Sequence, residues 1–228
     1  MFRRIFGAAF GAGIAVGLFI AALQHVTLVP LILEAEKYEA GAPAHKHVHD
    51  GAEAERTPVA DSPWRAVLTT IATTLTAVGF ALLLSGVFAV SGRDVDAREG
   101  LLWGLAGFTA FALAPAFGLP PELPGAVAAD LAARQAWWIG TVAATAAGLG
   151  LIVFAPSRWG VPLAVALFAA PHLFGAPHPG EGAGSVPPEL AAAFAARSLA
   201  VNALLWALLG LATGALYARL GHATASAT

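Results

Sequence analysis

The sequence predicts an all-α fold, a polytopic transmembrane helix bundle with five or six spans, and two observations carry that expectation. Of the 228 residues 58% are hydrophobic and only 11% charged, with a mean hydropathy of +0.73. Soluble domains carry roughly 25% charged residues, and a water-soluble fold of this size could not hide so much apolar surface. The apolar residues also fall in continuous runs, not in the alternation of a membrane β-barrel, and a spanning helix needs about 20 such residues. Richness in Ala, with 25 Gly, suits close approach of helices in lipid. Cysteine is absent, which removes disulfides, thiolate metal sites and redox dithiols. A net charge of −2 argues against a nucleic-acid partner.

The first span is expected at Ile5–Leu33. Arg3 and Arg4 before an apolar run resemble a signal peptide, but the run continues past Gln24 and His25, well beyond an h-region of roughly 7–15 residues. An uncleaved helix is therefore expected. Gly7, Gly11, Gly13 and Gly17 could line a close-packing stripe or simply weaken the helix start. Pro30 should kink or loosen its last turns. Glu34–Pro63, with seven acidic residues, three histidines and three prolines, reads as an extramembrane loop. Trp64–Val90 is the second span, opened by an interfacial Trp. Ser91–Gly100 is a charged turn and Leu101–Phe117 a third span at the short limit. A proline-rich loop, Gly118–Gly125, and an amphipathic piece with Asp130 and Arg134 precede the fourth span, Trp137–Ala155, whose paired tryptophans read as an interfacial anchor. After the turn Pro156–Gly160, the run Val161–Phe174 is short enough to be either a tilted span or a re-entrant segment. The polar loop Gly175–Glu189 leads to the last span, about Ala191–Tyr217. The whole chain, 1–228, is expected to be one membrane domain with residues 34–63 as an extracytoplasmic His- and acid-rich loop.

Six spans put both termini on one side. With Arg3 and Arg4 in the cytoplasm, Lys and Arg divide six against six. The inner six lie in tails and short turns, where positive charge acts most strongly on orientation, while Lys37, Lys46 and Arg56 of the outer six lie in the long loop. Only Asp94, Asp96 and Glu99 fall inside; the other eleven acids fall outside and would make that face attractive to cations.

Chemistry concentrates on that face. In extended chain His45, His47 and His49 point the same way beside Asp50 and could close around a divalent ion; a short His tract also binds such ions incidentally. Gln24 and His25 sit in the outer half of an apolar span, where polar groups are costly and usually face the bundle interior. His25 reads either as a pathway ligand or as a hydrogen bond between helices. Glu34 and Glu36 at the outer mouth could funnel a cation or merely end a helix in solvent. His172 and His178 bracket the outer end of the fifth apolar segment. Pro120, Pro121 and Pro124 make a rigid turn. Non-helical backbone near lipid survives where it is buried in protein or lines a polar cavity, so Glu122 is a candidate mouth residue and Pro120 and Pro121 candidate pathway lining; a plain connector is the alternative. No P-loop, HExxH or GxSxG motif is present, and no nucleophile–base pair stands out, so no enzyme is expected and no tightly bound cofactor. The span cores lack Asp, Glu, Lys and Arg, so no proton relay is evident.

The sequence resembles the CbtA family, the larger membrane subunit of a cobalt transporter. The resemblance rests on Gln24 and the Val29–Glu36 stretch with Tyr38-Glu39, on Ala77–Leu84, and on Leu113-Ala114-Pro115 through Gly118-Leu119-Pro120-Pro121-Glu122-Leu123-Pro124-Gly125. It continues through Asp130, Arg134-Gln135-Ala136-Trp137-Trp138, Gly175-Ala176-Pro177-His178, Val186-Pro187, Glu189-Leu190 and Phe194. It implies five or six spans in a bacterial cytoplasmic membrane, Co²⁺ as the transported ion with Ni²⁺ the alternative, a link to cobalamin supply, and a small single-helix His-rich partner, CbtB. A membrane scaffold or sensor that binds metal without moving it is the competing expectation.

Overall fold

The computed structural model describes residues 1–40, 63–155, 157–180 and 184–225; among these every regular element is helical. The helices are α1 (Phe2–Thr27), α2 (Val29–Ala40), α3 (Pro63–Ser91), α4 (Ala97–Phe108), a π-helical segment (Thr109–Leu113), α5 (Ala114–Ala116), α6 (Leu131–Phe154), α7 (Gly160–Phe174) and α8 (Pro188–Ala225). Five stretches are long and apolar enough to cross a bilayer: α1, α3, the continuous Ala97–Ala116 rod, α6 and α8. Their outward residues suit lipid; Phe6, Phe10, Leu75, Leu102 and Ile139 are all exposed.

α1, α3, α4 and α8 form the centre, each antiparallel to the neighbour it packs on most closely. The approach is close because glycine removes the side chain from the contact. On α1 the anticipated stripe divides between two partners. A Cβ at Gly13 or Gly17 would strike the backbone of Val78 or Thr74 on α3, whereas Gly7 and Gly11 face Leu220 and Leu216 on α8. The tightest crossing is α4 on α8, where Gly100 and Gly104 meet Gly210 and Gly214, one Gly-x₃-Gly pair against another. Ala8, Ile20, Ala81, Leu84, Phe88, Trp206 and Leu209 fill the core between these helices. Arg4 closes one end of the bundle: its Nε donates to the Tyr217 carbonyl at 2.7 Å, and its guanidinium lies 3.7 Å over the Tyr217 ring. That end, which carries the start of α1 and the C-terminal turns of α8, is called the terminal end here. The other, where Arg197 Nη1 reaches the Thr27 carbonyl at 3.5 Å, is the loop end.

Several boundaries depart from the sequence expectation for identifiable reasons. The first apolar run is two helices, because Pro30 has no N–H to return to the Val26 carbonyl; the chain swings at Leu28, whose N–H caps the Gln24 carbonyl at 2.9 Å. Glu34–Ala40, expected as loop, continues as helix α2. The third span begins four residues early, at Ala97, where the Asp96 carboxylate caps the Glu99 N–H. It contains a π turn just ahead of Pro115, in which the Ala114 N–H bonds to Thr109. Pro115 cannot donate to Phe111, and one widened turn absorbs the mismatch. The expected amphipathic piece at Asp130 is the capped start of α6 itself, with Asp130 accepting from the Ala133 N–H.

The short seventh helix returns along α6. Gly148 packs under Phe168 midway, and Trp137 Nε1 donates to the Pro171 carbonyl at 3.1 Å at the loop end. With α7 the described residues make six helical passes between the two ends, and the start of α1 and the last described turns of α8 lie at the same one. Trp137→Phe removes the bond that closes this hairpin. We expect a stability loss of about 1 kcal/mol, read as a lower thermal midpoint of the purified protein, with helix content unchanged.

Candidate cation pathway

A cavity of about 990 Å³ opens between α1, the π segment with α5, the 119–122 loop, α6 and α8. Its lining includes Gln24, Pro120, Pro121, Glu122, Arg134, Gln135, Ser198 and Asn202, with Ile20, Phe111 and Leu205 also among its walls. The fold thus brings four of the residues singled out in the sequence, Gln24, Pro120, Pro121 and Glu122, to a single space.

Each is held by local structure. Gln24 lies in the last full turn of α1, where its Oε1 accepts from Thr73 Oγ1 at 2.8 Å, so α3 fixes the carboxamide. The proline loop departs from the end of α5, where the Leu119 N–H returns to the Pro115 carbonyl at 2.8 Å. Buried Leu123 anchors it, and Gly125, at φ +81°, turns it toward α6. Gly118 must be glycine, since a Cβ there would enter the Trp137 ring. Glu122 accepts from Arg134 Nη2 at 2.7 Å, with the two side chains 29% and 28% exposed. This ion pair lies in the cavity wall, where the Arg134 guanidinium offsets the Glu122 carboxylate.

Toward the terminal end the cavity wall at Phe111 is backed by further aromatic rings. Phe111, carried on the π segment, stacks on Trp206 at 5.5 Å between centroids, and Phe80 of α3 meets both, at 5.6 and 4.5 Å. Trp206 is 1% exposed.

The other singled-out residues lie elsewhere at the loop end. His25 Nε2 is 3.3 Å from Thr70 Oγ1, an inter-helix contact. Glu34 accepts from Lys37 Nζ at 2.6 Å, and this exposed pair holds the Lys37 ammonium above its ordinary pKa through the hydrogen bond first and the carboxylate's charge second. Glu36 takes both Arg65 guanidinium nitrogens, at 2.5 and 3.2 Å, and ties α2 to the start of α3. His172 stands edge-on to the Phe117 and Trp137 rings and lines a separate recess with Thr109, Thr145 and Phe168. His178 is exposed in the segment after α7. Among the described residues no group of three or more His, Asp or Glu is close enough to hold a metal ion, so these side chains do not meet as one ligand set. The tract His45, His47 and His49 lies outside the described residues.

Sequence reasoning passed over Arg134, Gln135, Ser198 and Asn202 as cavity residues. The signal for the last two was present: a hydroxyl and a carboxamide four residues apart inside an apolar span share one helix face.

A family model described as "Probable cobalt transporter subunit (CbtA)" matches residues 2–218, nearly the whole chain. No curated protein and no solved structure matches it.

Proposed function

We propose that this chain, which belongs to the CbtA family of probable cobalt transporter subunits, carries Co²⁺ through its loop-end cavity as the membrane subunit of an uptake system in a bacterial cytoplasmic membrane. The family match across residues 2–218 is the observation that carries this reading; the helix bundle and its cavity, mostly apolar but with Gln24, Glu122, Gln135, Ser198 and Asn202 on its walls, are consistent with a route. The loop end faces outward and the N-terminus lies in the cytoplasm, an orientation supported by Arg3, Arg4, Arg93, Arg98, Arg158 and Arg219 in the short segments of the terminal end. Acids in the 34–63 loop, with His45, His47 and His49, gather the ion. It then passes Glu34, Glu36 and His25 near the rim, with His172 and His178 on the far side, and enters between Gln24 and Glu122 beside Pro120 and Pro121. The ring trio of Phe80, Phe111 and Trp206 is the closed gate below it.

A small membrane subunit of the CbtB type completes the transporter. Because the described spans carry no proton relay, the driving force comes from the ion gradient or from that partner.

The test is metal-resolved uptake by cells expressing the full chain, comparing Co²⁺ with Ni²⁺ and Zn²⁺, with and without the partner. Co²⁺ accumulation above vector controls supports the reading. Loop binding of metal with no accumulation of any of the three ions overturns it in favour of a scaffold or sensor. In the same assay, His45→Ala/His47→Ala/His49→Ala is expected to lower uptake several-fold at sub-micromolar Co²⁺ and to leave the maximal rate unchanged, because capture limits only the dilute regime. Wild-type uptake at low Co²⁺ removes the capture role.

A further inference from the structure

Four residues apart on α8, Ser198 and Asn202 both line the loop-end cavity. Ser198 Oγ and Asn202 Oδ1 are buried, and neither has a hydrogen-bond partner among the described residues. Buried polar atoms in native proteins are almost always paired, and leaving one unpaired costs about 1–3 kcal/mol. Two on one face of one helix, one turn apart, at the wall of the same cavity, call for a partner that the cavity itself supplies.

Their depth says what that partner does. Asn202 lies about 21 Å along α8 from Pro188, at 1.5 Å per residue, and so well inside the bundle. Leu205 and Trp206, at 7% and 1% exposure, lie about one turn further along the helix. The pair therefore sits just on the open side of the ring trio, the last polar place before the closed gate. A carboxamide so deep in a spanning helix is costly and marks a solute path.

We infer that Ser198 and Asn202 form a neutral-oxygen station that holds a hydrated divalent cation in front of the Phe80–Phe111–Trp206 gate. This inference rests on the transport reading and adds the holding site to it. Both groups are acceptors that a cation's bound waters can satisfy, since water polarised by a bound ion is a strong donor. The Gln24 carboxamide, fixed by Thr73, and Gln135 offer further oxygens to the same cavity. Among the described residues no carboxylate other than Glu122 lines this space, and Glu122 is held by Arg134. A neutral station suits transit, because a site on a pathway must bind well enough to load and weakly enough to release.

The test uses cells expressing the full chain, with initial rates of ⁵⁷Co²⁺ uptake measured against Co²⁺ concentration and membrane abundance measured in parallel. Ser198→Ala/Asn202→Leu is expected to lower the initial rate at least tenfold at unchanged abundance. Asn202→Asp, nearly isosteric, places a carboxylate at the station. It should lower KM several-fold and also lower the maximal rate, because the ion is held more tightly and released more slowly. A role confined to packing would not lower KM. If the wild-type chain accumulates Co²⁺ and the double variant matches it, the station is overturned while the transport reading stands. If the double variant does not reach the membrane, Asn202→Asp decides, and an unchanged KM overturns the station. A wild-type chain that moves no divalent ion sinks both.

Discussion

Gly104→Leu should abolish recovery of folded protein from membranes, while Gly79→Leu should leave yield and thermal midpoint at wild-type values. Both positions are glycines in apolar helices, so composition gives no reason to separate them. Geometry does. A Cβ on Gly104 would overlap the Trp206 carbonyl oxygen and sit 3.0 Å from the Gly210 Cα, all backbone that cannot turn aside. A Cβ on Gly79 meets nothing within 4 Å. Overfilling a tight contact costs typically 1–3 kcal/mol and occasionally more. At Gly104 a branched side chain must push two helices apart along Gly100, Gly104, Gly210 and Gly214 together, so the upper end applies. Moving α8 also moves Trp206, and with it the floor of the cavity. Gly104→Ala should give an intermediate loss, visible as a lower thermal midpoint with protein still recoverable. Equal thermal midpoints for Gly104→Leu and Gly79→Leu would mean that the α4–α8 crossing is not the contact that holds the bundle.

That crossing shows how the sequence was and was not informative. The spans were legible because hydropathy depends on composition over some twenty residues, and their alternating direction follows from short connections. Which glycines mattered was not legible. The stripe on α1 was visible as spacing, but its division between α3 and α8 depends on helix rotation, and the pairs on α4 and α8 reveal themselves only when laid against each other. The π turn had its cause in plain view at Pro115, yet a proline in a span predicts a disturbance without saying whether it will be a kink, a break or a wide turn. Pro30 produced a break at Leu28. On the site side, Gln24 and Glu122 stood out because a carboxamide in an apolar run and an acid between prolines are locally unusual. The partners that determine what they can do, Thr73 and Arg134, are 49 and 12 residues away. Ser198 and Asn202 were missed because hydroxyls and amides in membrane helices commonly satisfy themselves, and only three-dimensional placement shows that these two do not.

The mouth ion pair leads to the other large expectation. Glu122→Ala should reduce Co²⁺ uptake about tenfold at low ionic strength, and Glu122→Ala/Arg134→Gln should recover most of it. In the wild-type chain Arg134 is covered by the carboxylate at 2.7 Å, so an arriving cation meets a neutral pair. Removing the carboxylate leaves the guanidinium facing the cavity. At about 5 Å in water-like surroundings, a divalent ion and a unit positive charge repel by roughly 1.7 kcal/mol, a factor of about ten to twenty. Salt should shrink the defect, because exposed charges are screened over about 10 Å at 0.1 M. The double variant separates two roles that the single variant confuses. If Glu122 acts by masking Arg134, removing both restores neutrality and with it uptake. If Glu122 ligates the ion directly, the double variant is as poor as the single one and salt changes little. Arg134→Gln alone is a third probe. It leaves Glu122 as a free carboxylate at the mouth and should raise uptake at low Co²⁺ while slowing the maximal rate, provided abundance is unchanged. Recovery in the double variant, salt sensitivity in the single one and a gain at low Co²⁺ in Arg134→Gln form a consistent set only if the ion passes this doorway. Wild-type rates in all three variants would place its route elsewhere in the bundle.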